Sequence, residues 1–69
     1  MKYRIQLHEE KARQFLQLAS DNLAVAMHEP NGERKKEYLG YAEDYSLLAQ
    51  QEMTKVYNLV HLSLQVSKS

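Results

Sequence analysis

Three histidines and nine acidic residues are the side chains of this 69-residue chain from which chemistry could be built. Glu52 is the most informative of them, because it lies inside an apolar stripe, flanked by Leu48, Ala49 and Val56. Burying an unpartnered charge is expensive, so a carboxylate placed there needs a partner. If the chain folds back near residue 31, positions whose numbers sum to about 61 face each other, as in an antiparallel helical hairpin. Glu52 then comes opposite His8 and Glu9. A carboxylate–imidazole cluster can serve as an acid/base pair or a metal site, doubled when two copies pair. The di-iron bundle signature, Glu-x-x-His on one helix, does not occur. Glu52 is followed by Met53, Thr54 and Lys55, and Asn58 stands three positions before His61. The simpler reading is a polar pair that fixes the register of two helices.

His28 and His61 are isolated along the chain and read as surface residues. No Ser or Thr has a His and an acid at useful helical spacing, and no Gly-rich loop could cradle a phosphate. No catalytic residue, cofactor or metal ligand is therefore assigned, and the expectation is a protein that is not an enzyme.

The elements that must position these residues follow from two Gly and one Pro. Pro30 stands in Glu29-Pro30-Asn31-Gly32; it disfavours helical geometry at Glu29, and Asn-Gly readily takes positive φ. A helix should end near His28. Asn31 can cap the next helix, with Glu33 favourable at the positive end of its dipole. The expected layout is helix 1 over residues 3–28, a loop over 29–32 and helix 2 over 33–62, a single all-α domain spanning 1–69. Two places weaken it. Ser20-Asp21-Asn22 is a run of poor helix formers that could kink helix 1. Both ends also alternate apolar and polar, with Tyr3, Ile5 and Leu7 at one end and Leu62, Leu64 and Val66 at the other. Period two is a strand pattern, so residues 3–7 and 59–66 could instead pair as a short β ladder.

On a wheel of about 100° per residue each helix shows a core stripe. In helix 1 it holds Ile5, Ala12, Phe15, Leu16, Ala19, Leu23, Ala26 and Met27. In helix 2 it holds Tyr38, Tyr41, Ala42, Tyr45, Leu48, Ala49, Met53, Val56, Leu59 and Val60. Apolar residues also lie outside these stripes. Leu7, Leu18 and Val25 sit on the far side of helix 1, and Leu39, Leu47, Tyr57 and Leu64 lie off the stripe of helix 2. A two-helix hairpin hides one stripe per helix, so a second row points to a partner surface. Helix 2 also outruns helix 1, leaving Leu59, Val60, Leu62, Leu64 and Val66 with no facing segment. The candidate self-association set is Leu7, Leu18, Val25, Leu59, Leu62, Leu64 and Val66. Tyr38, Tyr41, Tyr45 and Tyr57 form a candidate partner surface, since Tyr combines apolar area with a hydrogen-bonding tip.

Composition narrows the function classes. Nine Lys+Arg balance nine Asp+Glu, which argues against a general nucleic-acid or acidic-membrane binder. Arg34-Lys35-Lys36 is the densest basic cluster, but its members point in different directions and Glu33 and Glu37 bracket it. The absence of Cys removes disulfides and thiolate sites. No apolar run is long enough for a membrane span, and a cytoplasmic protein is the default expectation.

Leu39-Gly40-Tyr41-Ala42 faintly resembles the Leu-Gly element of tetratricopeptide repeats, but Lys36 stands where the large aromatic is expected three residues before that Leu. In size and layout the chain is similar to a small plasmid RNA-binding regulator that dimerises into a four-helix bundle, without shared motif residues. The expected architecture is an antiparallel hairpin that pairs with a second copy as a four-helix bundle. The expected role is a non-catalytic regulator, adaptor or inhibitor acting as a homodimer on a protein partner. The alternatives are a nucleic-acid-binding bundle using Lys2, Arg4, Lys11 and Arg13, and a carboxylate/His metal bundle.

Overall fold

The computed structural model describes residues 2–68, and the side chains up to residue 65. Two helices make up this whole span, α1 (Lys2–His28) and α2 (Gly32–Lys68), 27 and 37 residues long. They pack against each other as an antiparallel hairpin shaped as a rod of 58 × 14 × 11 Å.

The loop is three residues, Glu29, Pro30 and Asn31, and its geometry follows from its sequence. The Asn31 amide donates to a Glu29 carboxylate oxygen at 3.1 Å, and the Glu29 amide donates to the Ala26 carbonyl at 3.3 Å. Asn31 Oδ1 accepts from the amides of Glu33 and Arg34 at 3.0 and 3.2 Å, the bonds of a helix N-cap. Glu33 lies in the first turn, where its charge suits the dipole. The expected positive φ does not occur among the described residues. Because Asn31 caps, Gly32 is already helical and no left-handed residue is needed.

Two further expectations change. Ser20-Asp21-Asn22 does not interrupt α1. Asn22 Nδ2 donates to the Leu18 carbonyl at 2.8 Å and Gln17 Nε2 to Asp21 Oδ1 at 2.9 Å, so these polar groups bond within the helix. The strand alternative is overturned: residues 3–7 and 59–66 are helical, and α2 runs on to Lys68 instead of ending at 62. Neither end contains Gly or Pro, and extending a formed helix costs far less than nucleating a new structure.

The buried seam follows a strict seven-residue repeat. On α1 the inward side chains are Ile5, His8, Ala12, Phe15, Ala19, Asn22 and Ala26. On α2 they are Tyr38, Ala42, Tyr45, Ala49, Glu52, Val56, Leu59 and Ser63. Steps of three and four alternate throughout, as in a coiled coil. Alanine recurs at one position of the repeat, as Ala12, Ala19 and Ala26 and again as Ala42 and Ala49. Such small residues let helix axes approach to about 8 Å. Phe15 and Tyr45 meet across the seam as stacked rings, 6.3 Å between centroids.

This narrow seam corrects the wider stripes expected from the 100° wheel. Leu16, Leu23 and Met27 on α1, and Tyr41, Leu48, Met53 and Val60 on α2, are exposed. Only Ala12, Ala26, Ala49 and Val56 are buried apolar residues among those described, and no large side chain is fully buried. Enlarging Ala12 should therefore push the helices apart. We expect Ala12→Leu to destabilise the fold by about 1–3 kcal/mol, with Ala24→Leu, on the exposed side of α1, near neutral. Urea unfolding followed by circular dichroism measures both.

Candidate functional site

The structure places His8 against Glu52, as the pairing sum requires. His8 Nδ1 and Glu52 Oε2 are 2.5 Å apart, and Lys55 Nζ reaches the other carboxylate oxygen at 3.2 Å. Glu52 is 8% exposed, the one buried charged residue among those described, and both its oxygens are engaged. α1 delivers His8 because it sits one turn from Ala12 on the inward face, and α2 delivers Glu52 one turn from Ala49 and Val56. Every buried side-chain N or O among the described residues has a partner.

Glu9 does not join the pair. It lies at the seam's margin, 3.7 Å from Arg13 in an i,i+4 ion pair. Among the described residues no group of three or more His, Cys, Asp or Glu gathers as a metal site would require. His8, Lys55, Arg4, Asn58 and Leu59 line an open hollow of about 320 Å³ beside the pair.

The electrostatics describe a structural contact. The His8 hydrogen bond is the largest influence and lowers the Glu52 carboxyl below its ordinary value; burial opposes it, and Lys55 lowers it further. A carboxylate held ionised by two partners is poorly set up to take a proton at neutral pH. It is well set up to fix register, because a slip along the seam would strand it among apolar neighbours.

The candidate self-association set does not form one surface. Leu59 is half-buried in the seam. By the seven-residue repeat, Leu18, Val25 and Leu62 lie on one flank of the hairpin, the flank of Arg4 and Lys55, Leu64 lies on the opposite one, and Leu7 faces outward on α1 beside Tyr3, Gln6 and Glu10. Val66 falls outside the described side chains. The tyrosines divide as well. Tyr38 and Tyr45 line the seam, Tyr41 sits on the Arg4 flank in edge contact with Tyr38, and Tyr57 stacks on His61 one turn along α2 on its exposed side. His28 and His61 are exposed, as are Arg34, Lys35 and Lys36.

Sequence reasoning missed the second flank. Leu16, Leu23, Leu39, Met53 and Val60 share it, and an open hollow of about 460 Å³ there is lined by Leu16, Ser46, Ala49, Gln50, Met53 and Thr54. The signal was the spacing of sevens, Leu16 to Leu23 and Leu39 through Ser46 and Met53 to Val60.

No known protein family, curated protein or solved structure matches this chain. Among the described residues no helix is long and apolar enough to cross a membrane.

A carboxyl with a lowered folded-state value stabilises the fold above its unfolded value of 4.5. That contribution disappears as pH falls through the lower folded value. Wild-type stability should therefore decline as the solution is acidified below about pH 5, and Glu52→Gln should flatten the decline while lowering stability at neutral pH. Urea midpoints across that range measure it.

Proposed function

We propose that the chain works as a homodimer, two hairpins forming a four-helix bundle, and acts as a non-catalytic regulator, adaptor or inhibitor by contact with another protein. The observation that carries this reading is the poverty of the hairpin's own core. Among the described residues its buried apolar side chains are three alanines and one valine, while large apolar side chains stand exposed along both helices. Fully burying a large apolar side chain contributes about 1.5–3 kcal/mol, so association offers the hairpin more than its seam does. Chains of this size are otherwise marginal.

The non-catalytic part of the reading rests on the one buried ionisable contact being saturated by its own partners. A contact role also suits the two unlike flanks. Beside the seam, one carries a single charge, Glu9, in a row of mostly apolar residues; the other mixes apolar residues with Arg4, Lys11 and Lys55. A homodimer that uses one flank leaves the other for a different protein.

Sedimentation equilibrium of the wild-type chain should return twice the chain mass at micromolar concentration; a folded monomer contradicts the reading. Cross-linking in cells that express the chain should join it to a second protein as well as to itself. Self-links alone would remove the regulator role and leave the dimer.

A further inference from the structure

We infer that the second copy docks on one defined flank of the hairpin, the row formed by Leu16 and Leu23 of α1 with Leu39, Met53 and Val60 of α2. This rests on the homodimer reading and adds the surface that makes it.

A compact monomer of this size exposes about 4,500 Å², whereas the hairpin exposes 5619 Å². The surplus of roughly 1,100 Å² is somewhat more than the 800 Å² or so that each partner buries in a standard stable interface. Burying one long flank of the rod against a second copy removes a surplus of that size.

Charge selects the flank. From Ile5 onward the repeat position next to the seam on this flank carries one charge, with Glu9, Leu16 and Leu23 on α1 and Leu39, Ser46, Met53 and Val60 on α2. That charge, Glu9, is paired with Arg13, and Lys36 and Glu43 lie at the rim. The opposite flank carries Arg4, Lys11 and Lys55 in the same repeat position as Leu18, Val25, Tyr41 and Leu48. Covering it with a copy of itself would desolvate those cations, and interface centres are depleted of charge.

Period selects the occupant. The exposed row repeats every seven residues on both helices, in step with the seam itself. Rows of knobs interlock when their spacing matches, and a second copy has that spacing by construction. The row also supplies its own hollows. Ser46 lies between Leu39 and Met53, and the open space of about 460 Å³ beside Leu16 and Met53 can receive an apolar side chain from the partner.

The test compares two double variants by sedimentation equilibrium. Leu16 and Leu23 are 52% and 46% exposed, Leu18 and Val25 are 40% and 44% exposed, and all four lie on α1. Leu16→Glu with Leu23→Glu should weaken dimerisation about 100-fold or more, whereas Leu18→Glu with Val25→Glu should leave it within about threefold. If the first variant dissociates and unfolds, oxidation of the wild-type chain by dilute hydrogen peroxide decides the matter. Met53 should oxidise about tenfold more slowly when the chain is concentrated enough to pair than when diluted. A dimer that survives Leu16→Glu with Leu23→Glu, equal loss in both double variants, or Met53 oxidation indifferent to concentration overturns the flank while leaving the dimer standing. A monomeric wild type overturns both.

Discussion

The distance between α1 and α2 governs the rest of the molecule. Alanines at 12, 19 and 26 on one helix and at 42 and 49 on the other bring the backbones together along a narrow line. Close approach gives many small contacts with little buried volume, and a line only two side chains wide can enclose no leucine fully. The larger apolar residues are thereby displaced to the flanks. A hairpin with Leu or Ile in place of these alanines would hide more of itself and leave less apolar surface on its flanks. The small seam and the apolar flanks are therefore one design fact: what the helices gain in proximity they lose in coverage.

A narrow alanine line specifies register weakly, because a slip by one repeat puts alanine opposite alanine again. The polar and aromatic side chains in the seam remove that degeneracy. His8 against Glu52 near the open end and Phe15 against Tyr45 farther toward the loop are unlike contacts that a shifted pairing would break. The capped loop sets the same register from the other end, through Asn31 and the amides of Glu33 and Arg34. Register is thus held at three levels along the rod, with different chemistry at each.

Much of this was legible in the residues. Pro30 and Asn31 marked the turn, and the pairing they imply put Glu52 opposite His8 and Glu9, of which the structure keeps His8. Membership of the core was read less well, for a geometric reason. A straight wheel of about 100° per residue drifts some 20° per seven residues from a true seven-residue repeat. Over four repeats that drift carries Leu16, Leu23 and Met27 into an imagined core, although the recurrence of Ala12, Ala19 and Ala26 already showed the period. The end of α2 was misjudged differently. Alternation over Leu62, Leu64 and Val66 resembles a strand, but a short pattern cannot compete with a helix already running into it. The apolar flank of Leu16, Leu23, Leu39, Met53 and Val60 needed the three-dimensional seam, since it is defined by what the seam leaves out.

On the proposed reading the seam alone does not hold the fold, and association supplies the difference. Mass action tests this without any substitution, because a fold completed by association melts at a temperature that rises with concentration. Far-ultraviolet circular dichroism of the wild-type chain, followed through thermal unfolding at concentrations from about 1 to 100 μM, reads it directly. The account predicts a midpoint that climbs steadily over that range, with helix content falling on dilution at fixed temperature. A midpoint independent of concentration, in a chain that stays helical when dilute, would contradict it.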